Sequence, residues 1–387
     1  MQVYLDNSAT TQVDKEVADI IYKVMTEKFG NPSSLHSFGV NAEDNVQKVR
    51  KFMKKVVKSQ NGDFIFTSGG TEANNLAIRG TAYRKKRMGD HLITSQVEHP
   101  SVIEVFKQLE AEGYRVSYLP VDENGRVDPR DLQSELTKNT TLVSVQTVNN
   151  EVGTMQPIAE LGKVIRESGY NIVFHTDAVQ AIGKIDLDPE KWGVHLLSVS
   201  AHKFHGPKGI GGLYISPDTM ITPQLIGGGQ ERDIRPGTEN VQGIVGLGKA
   251  LEKAIKNKNQ FEKITEYKLK AYKQLKEQLG DELLVLGPDP KKTDKSAPHI
   301  LAIAFPDING EVIVHGLEQK GVYVSTGSAC SSNKDSESQV LLAMSTSKRY
   351  VSGAIRLSFS YKTTEKELEY ATEQIIKTYN ELKSYGR

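Results

Sequence analysis

The segment Phe64-Ile65-Phe66-Thr67-Ser68-Gly69-Gly70-Thr71-Glu72-Ala73-Asn74 runs from apolar β-formers through a glycine pair into residues suited to a helix. It reads as strand, tight turn and helix N-terminus, a junction whose first-turn amide hydrogens lack intrahelical acceptors and face whatever lies beyond the strand. It is not a Walker loop, because the Gly-Lys-Ser/Thr ending is absent, and it lacks the Rossmann glycine spacing. An ordinary helix start and a phosphate cup both satisfy it, so the rest of the chain must decide.

Working outward, short β-rich runs alternate with helical stretches: His91-Leu92-Ile93-Thr94, Val116-Ser117-Tyr118-Leu119, Leu142-Val143-Ser144-Val145, Ile172-Val173-Phe174-His175 and Leu196-Leu197-Ser198-Val199. This alternation predicts a mostly parallel sheet wrapped by helices, in which ligands gather beyond the carboxyl ends of the strands. Before it, Val17, Ile20, Ile21 and Val24 recur at helical spacing, which predicts a helix from Asp14 to Phe29 with Asp14 as cap and Gly30 as stop. Ala42, Val46, Val49, Met53 and Val56 predict another from 42 to 57. After the glycine-rich stretch Ile226 to Gly237 comes one long charged helical region, Glu239 to Leu279. His299 to Phe305 and Ala354 to Ser360 read as strands, and Thr364 with Glu367 forms a capping box before a last helix. The C-terminal part is therefore an α+β unit.

With 387 residues the chain exceeds what one hydrophobic core usually serves, so two domains, or one large domain with a smaller one appended, are expected. A formal net charge of +1 and 25% charged residues give no electrostatic case for nucleic acid or an anionic membrane. The N-terminus Met1-Gln2-Val3-Tyr4-Leu5-Asp6 lacks the pattern of a secretory signal, and no long apolar span follows, so a soluble cytoplasmic protein is expected. The single cysteine excludes an internal disulfide and a multi-cysteine zinc site. Cys330 is left as either an inert thiol or a reactive one.

Three segments at strand ends carry the chemistry. Gly69-Gly70-Thr71 offers an anion cup. Thr176-Asp177-Ala178-Val179-Gln180 places an acid where a buried strand stops, which alone reads equally as a helix cap. Ser200-Ala201-His202-Lys203 places an amine beside apolar strand residues, where desolvation favours the neutral form that attacks carbonyls; a snorkelling surface lysine is the bland alternative. Together they supply what pyridoxal phosphate requires: a phosphate cradle, an acid for the pyridine nitrogen and a lysine for the aldehyde. Val97-Glu98-His99-Pro100-Ser101 adds an imidazole at another strand exit, able to lie on the cofactor ring and move protons near neutral pH. Cys330 sits in Ser325-Thr326-Gly327-Ser328-Ala329-Cys330-Ser331-Ser332, too small and polar a stretch for a packed core, which favours a reactive thiol on a loop. Arg356, inside the apolar strand Ala354-Ile355-Arg356-Leu357-Ser358, needs an anionic partner, either a substrate carboxylate or an internal one.

These motifs, with Tyr4-Leu5-Asp6-Asn7-Ser8-Ala9-Thr10-Thr11, Asn31-Pro32-Ser33-Ser34, Val148-Asn149-Asn150-Glu151-Val152-Gly153-Thr154 and Arg235-Pro236-Gly237-Thr238-Glu239-Asn240, make the chain resemble the group I cysteine desulfurases over nearly its whole length. Those are aspartate-aminotransferase-like pyridoxal-phosphate enzymes. The resemblance implies an α/β fold: a large cofactor-binding domain at residues 14–256, with a mostly parallel seven-stranded sheet flanked by helices, and a smaller α+β domain from 1–13 and 257–387. It implies that Lys203 bonds the cofactor, His99 stacks on its ring, Asp177 pairs with the pyridinium and Gln180 reaches the ring hydroxyl. Gly70, Thr71, Ser200 and His202 would hold the phosphate, with Thr238 entering from the second subunit of a homodimer. Asn150 would line the cofactor and, with Arg356, the substrate carboxylate.

The implied reaction converts L-cysteine to L-alanine, leaving sulfur on Cys330 as a persulfide for a protein acceptor in iron–sulfur cluster assembly, tRNA thiolation or thiamine synthesis. No direct nucleic-acid or membrane contact is expected. The chain stops soon after Glu381-Leu382-Lys383, so docking of a cluster scaffold through a longer tail is not expected. An aminotransferase or selenocysteine lyase would share the cofactor motifs, and Cys330 speaks against the former. A partner-binding protein without turnover would leave Lys203, His99, Asp177 and Arg356 as a coincidence.

Overall fold

A computed structural model describes residues 1–59, 61–327 and 337–385. Its strands in chain order are β1 (Val3–Tyr4), β2 (Asp63–Thr67), β3 (His91–Ser95), β4 (Arg115–Leu119), β5 (Thr140–Ser144), β6 (Val173–Asp177), β7 (Leu196–Ser200), β8 (Gly211–Ile215), β9 (Leu284–Leu286), β10 (Ile300–Ala304), β11 (Val322–Tyr323) and β12 (Ala354–Ser358). Seven of them form one sheet in the order β2-β8-β7-β6-β5-β3-β4. β8 alone runs against its neighbours, pairing Gly211 with Thr67 on one side and with Ser200 on the other. The other contacts in this sheet are parallel, as the alternating pattern predicts.

Parallel strands must be covered on both faces, and the sheet has an apolar layer on each. Phe64, Phe66, Ile93, Val143, Phe174 and Leu197 pack on one side with the helices Ser37–Val56 and Val241–Lys256. Ile65, Leu92, Leu142, Val173 and Leu213 pack on the other with Gly70–Lys85 and Pro100–Ala111. A separate core joins Val3 and Leu5 to Phe261, Ile303, Phe305, Leu357 and Ile375 around the antiparallel sheet β12-β10-β9. The N-terminal residues thus fold with the C-terminal part, where β1 pairs with β11.

Two local expectations are corrected. The first helix is Lys15–Thr26 and does not reach Phe29, which is 67% exposed against Phe38. Asp14 makes no side-chain cap bond there; its carboxylate is taken by Tyr361, Lys362 and Lys253, a stronger set of partners than a backbone amide. The charged region after Gly237 is two helices, Val241–Lys256 and Gln260–Leu279, interrupted at 257–259. The capping box is present, with Thr364 N donating to Glu367 Oε2 at 2.7 Å and Glu367 N to Thr364 Oγ1 at 3.3 Å. Among the described residues no helix is long and apolar enough to cross a membrane.

Candidate active site

The carboxyl ends of β2, β3, β5, β6 and β7 open on one cavity of about 260 Å³, whose wall includes Gly70, Thr71, His99, Asn150, Asp177, Gln180, Ser200, His202 and Lys203. Segments far apart in sequence meet there because parallel strands deliver their following loops to one edge. Thr238 is exposed on the surface and does not line this cavity. Cys330 lies outside the described residues.

At one end, helix Gly70–Lys85 begins at Gly69, which has no side chain to cap the first-turn amides. A Cβ on Gly70 would lie 2.9 Å from Val179 Cγ2 and 3.6 Å from Ser200 Cβ, so glycine keeps this end open. His202 stands nearby with Nδ1 3.2 Å from Thr10 Oγ1. Burial, reinforced by Lys203, Lys208 and Lys184, pushes its imidazole down to about 3, so the ring is neutral and offers a single N–H. Amides, a hydroxyl and a neutral imidazole, with lysines behind them, suit a phosphate.

The other end is acidic. Asp177 is buried at the tip of β6 and accepts from Val179 N at 2.9 Å and from Asn74 Nδ2 at 2.7 Å. Asn74 Nδ2 also donates to Ser101 Oγ at 2.9 Å, and Ser101 Oγ lies 2.8 Å from His99 Nδ1. Ser101 N donates to the same Nδ1 at 3.1 Å, which makes Nδ1 an acceptor and puts the proton of the neutral ring on Nε2. Burial lowers the His99 pKa, Asp177 opposes the shift and Lys203 adds to it. His99 therefore holds one tautomer and one orientation, while N-capping the helix Pro100–Ala111.

Lys203 Nζ donates to the Ser8 carbonyl at 2.5 Å and the Ala9 carbonyl at 2.8 Å, which ties the amine to the N-terminal arm. Gln180 Nε2 donates to the Ser8 carbonyl as well, at 2.9 Å, and its Oε1 accepts from the buried Lys184 at 3.1 Å. Burial, with the Lys203 charge as a second cause, holds Lys184 well below the usual lysine range. Arg356, only 1% exposed, donates through NH2 to Asp6 Oδ1 at 2.8 Å and through NH1 to the Asn150 carbonyl at 2.9 Å. It does not line the cavity, and the internal carboxylate that its position required is Asp6. Its Nε is buried with no partner among the described residues.

Asn74, Ser101 and Lys184 escaped sequence reading as site residues. Asn74 lies one turn into the helix that Gly70 begins, and nothing in its local sequence marks it. Ser101 is the second residue of a helix that His99 caps, and Lys184 carries no local mark.

The aminotransferase class-V family pattern matches residues 3–371. The chain belongs to that family. It is 43% identical over 384 residues to a protein of Dictyoglomus turgidum named cysteine desulfurase IscS, covering 99% of this chain and 96% of that one. It is 41% identical over 388 residues to a protein of the same name from Methanosarcina thermophila, covering 99% and 93%. A solved NifS-like protein superimposes with a TM-score of 0.90 at 36% identity over 98% of this chain and all of that one. A further structure, described as SspA in complex with cysteine, gives 0.79 at 30% identity over 94% of this chain and all of that one. Within the family the chain is thus a cysteine desulfurase.

The family cofactor is pyridoxal 5′-phosphate, and the cavity fits it. Two buried polar atoms on its wall, Ser8 Oγ and Asn74 Oδ1, have no hydrogen-bond partner among the described residues. Such atoms are costly unless a ligand or water satisfies them.

Proposed function

We propose that this chain transfers sulfur from free L-cysteine to Cys330 and that the cavity residues divide the work as follows. Gly70, Thr71, Ser200 and His202 hold the cofactor phosphate, Asp177 its ring nitrogen, Gln180 its ring hydroxyl and Lys203 its aldehyde. When bound, pyridoxal 5′-phosphate supplies an electron sink for negative charge at the substrate α-carbon. Lys203 Nζ would move the α-proton, and His99, on the cavity wall with its proton fixed on Nε2, would serve a second proton transfer. Asn150, on the cavity wall, faces the substrate carboxylate, and Arg356, bound to Asp6 and to the Asn150 carbonyl, holds Asn150 in place. The Cys330 thiolate attacks the substrate sulfur: the carbon–sulfur bond breaks, a sulfur–sulfur bond forms, and protonation of the carbon skeleton yields L-alanine. L-Cysteine and one thiol become L-alanine and one persulfide, whose outer sulfur passes to a thiol of a protein acceptor.

The observation that carries this reading is the convergence of Lys203, His99 and Asp177 on one cavity beside an uncapped helix N-terminus. The two units, 14–256 and 1–13 with 257–387, are supported by two main apolar cores, the first drawn from 14–256 apart from Ala297 and Ile300 and the second from 1–13 and 257–387. Homodimerisation is supported by exposed Tyr22, Met25, Leu35, Phe38 and Ile226, which leave apolar surface to cover, and by Thr238, exposed on a loop that Arg50–Glu231 and Arg235–Glu72 pin to the phosphate end. Thr238 would then complete a neighbour's site.

Alanine and sulfide formation from L-cysteine with added thiol, compared among the parent, Cys330→Ser and Lys203→Ala, tests the assignment. Loss of sulfide release in both variants supports it. Full release by Cys330→Ser with loss in Lys203→Ala would make the protein a lyase that does not use its cysteine.

A further inference from the structure

Glu151 has no part in the chemistry above, yet its carboxyl sits where both flanks of the cysteine segment come together. Ser338 Oγ donates to Glu151 Oε2 at 2.6 Å. On the other flank, a Cβ placed on Gly327 would lie 3.2 Å from that same oxygen. Residues 328–336, Cys330 among them, run between these two positions.

The turn that carries Glu151 is rigid. Asn149 is fully buried, its Oδ1 accepts from Glu151 N at 2.8 Å and Val152 N at 2.9 Å, and its Nδ2 donates to the Val97 carbonyl at 3.0 Å. Such an Asx turn fixes the backbone from which the carboxyl projects. Asn150, the preceding residue, lines the cofactor cavity and is tied to Arg356 through its carbonyl. It also forms part of a neighbouring cleft of about 390 Å³, whose wall includes Glu151, Ser338 and Val340. Glu151 therefore stands on the partition between the reaction site and the next open space.

Its hold on Ser338 extends into the fold. The same hydroxyl accepts from Leu341 N at 3.2 Å and caps the helix Gln339–Ala343, whose Val340 and Leu341 are buried with Val97, Val152 and Ala302. Burial pushes the Glu151 carboxyl up to about 7, with Ser338 and Arg356 opposing the shift. Among the described residues, Ser338 is the flank that bonds the carboxyl and Gly327 the one that only approaches it.

We propose that Glu151 is a positioning residue for sulfur transfer: by binding Ser338 beside Gly327 it sets the spacing of the two flanks of the segment that carries Cys330. The proposal rests on Cys330 being the sulfur acceptor. It is distinct from a role in binding cofactor or cysteine, because Glu151 does not line the cofactor cavity.

The test uses the full cofactor-loaded chain and three variants, Glu151→Ala, Glu151→Gln and Ser338→Ala. Single-turnover alanine formation should slow at least tenfold in Glu151→Ala and about threefold in Ser338→Ala, with KM for L-cysteine and the cofactor absorbance changed less than twofold. Glu151→Gln keeps an oxygen for Ser338 and should stay within threefold of the parent. Cys330 is the sole cysteine, so alkylation by iodoacetamide reports on it alone and should quicken at least threefold in Glu151→Ala, with or without substrate. Parental transfer and alkylation rates in Glu151→Ala would overturn the proposal, as would a loss confined to KM or to cofactor binding. If the parent itself makes no persulfide, the desulfurase reading fails; if the parent does and the variants match it, only the role of Glu151 fails.

Discussion

Replacing Asn74 by leucine removes the donor that holds Asp177 and leaves the cavity nearly as full. Asn74 is fully buried, and its Nδ2 is the side-chain donor to Asp177 Oδ2, at 2.7 Å. A hydrogen bond to a charged group contributes about 1.5–3 kcal/mol, and Val179 N remains on the other oxygen. If the carboxylate is what stabilises the protonated ring nitrogen, nearly all of that loss appears in cofactor affinity, about a 10- to 100-fold rise in Kd at about 1.4 kcal/mol per decade. Titrating cofactor-free parent and Asn74→Leu with pyridoxal 5′-phosphate, followed by the absorbance of the bound form, measures the ratio. Covalent attachment at Lys203, as proposed, would be common to both proteins and cancel. A Kd ratio below about threefold, with the cofactor-free melting temperatures equal, would refute the chain from Asn74 through Asp177 to the ring.

Gly211→Ala places a Cβ 2.5 Å from the Val199 carbonyl and 2.8 Å from the Gly69 backbone; relief by moving Gly69 should cost about 1–3 kcal/mol and lower cofactor affinity at least tenfold in the same titration. Burial holds the Lys184 amine well below its usual 10.5, so between the two values the unfolded chain binds more protons than the folded one, and stability contributed at this site rises with pH toward 10.5. Lys184→Met should abolish that rise, as denaturant unfolding of cofactor-free protein at pH 7 and 9 will show. Glu98 has the opposite sign: burial pushes its carboxyl up to about 8 from 4.5, the folded state keeps the proton through that window, and stability falls as pH increases across it. Glu98→Gln should flatten the decline between pH 5 and 8, measured in the same way.

The six strands from β2 to β7 were legible because each is a short β-rich run bounded by turn residues; β3, β5, β6 and β7, inside the sheet and buried throughout, need no alternation, while at the edge only Leu119 of β4 is buried. β8 was not legible from local pattern. Gly211 and Gly212 open it because Cβ atoms there would meet Val199, Gly69 and Phe64, a requirement set by neighbours distant in sequence. The end of the first helix was misplaced for a related reason: Gly30 is small because of Phe38, whose carbonyl oxygen would lie 1.9 Å from a Cβ on residue 30, and the glycine was read as a stop signal. Asp14 looked like a cap in sequence, and only the tertiary fold could supply Tyr361 and Lys362.

In the site, residue types that advertise chemistry were found from their position after strands, while the polar residues that orient them were not. Asn74 and Ser101 join Asp177 to His99 without any feature that separates them from ordinary helix-start residues.

That division has a physical basis in how the cavity is made. Its floor comes from strand ends of one sheet, so each of Asp177, Ser200 and Lys203 is placed by a local element that the sequence declares. Its closure comes from a different part of the chain: the carbonyls of Ser8 and Ala9 receive Lys203, Ser8 also receives Gln180, and Asp6 receives Arg356. The N-terminal arm is held in turn by β1 against β11 and by Asn7 Nδ2 donating to the Ser358 carbonyl at 2.8 Å. Leu5 therefore belongs to the apolar core around β12-β10-β9, and Ser8 and Ala9, three and four residues on, belong to the cavity wall. Any displacement of β12 is passed through Ser358 and Arg356 to the arm whose carbonyls hold the lysine, so the amine's position depends on contacts between segments 350 residues or more apart in sequence.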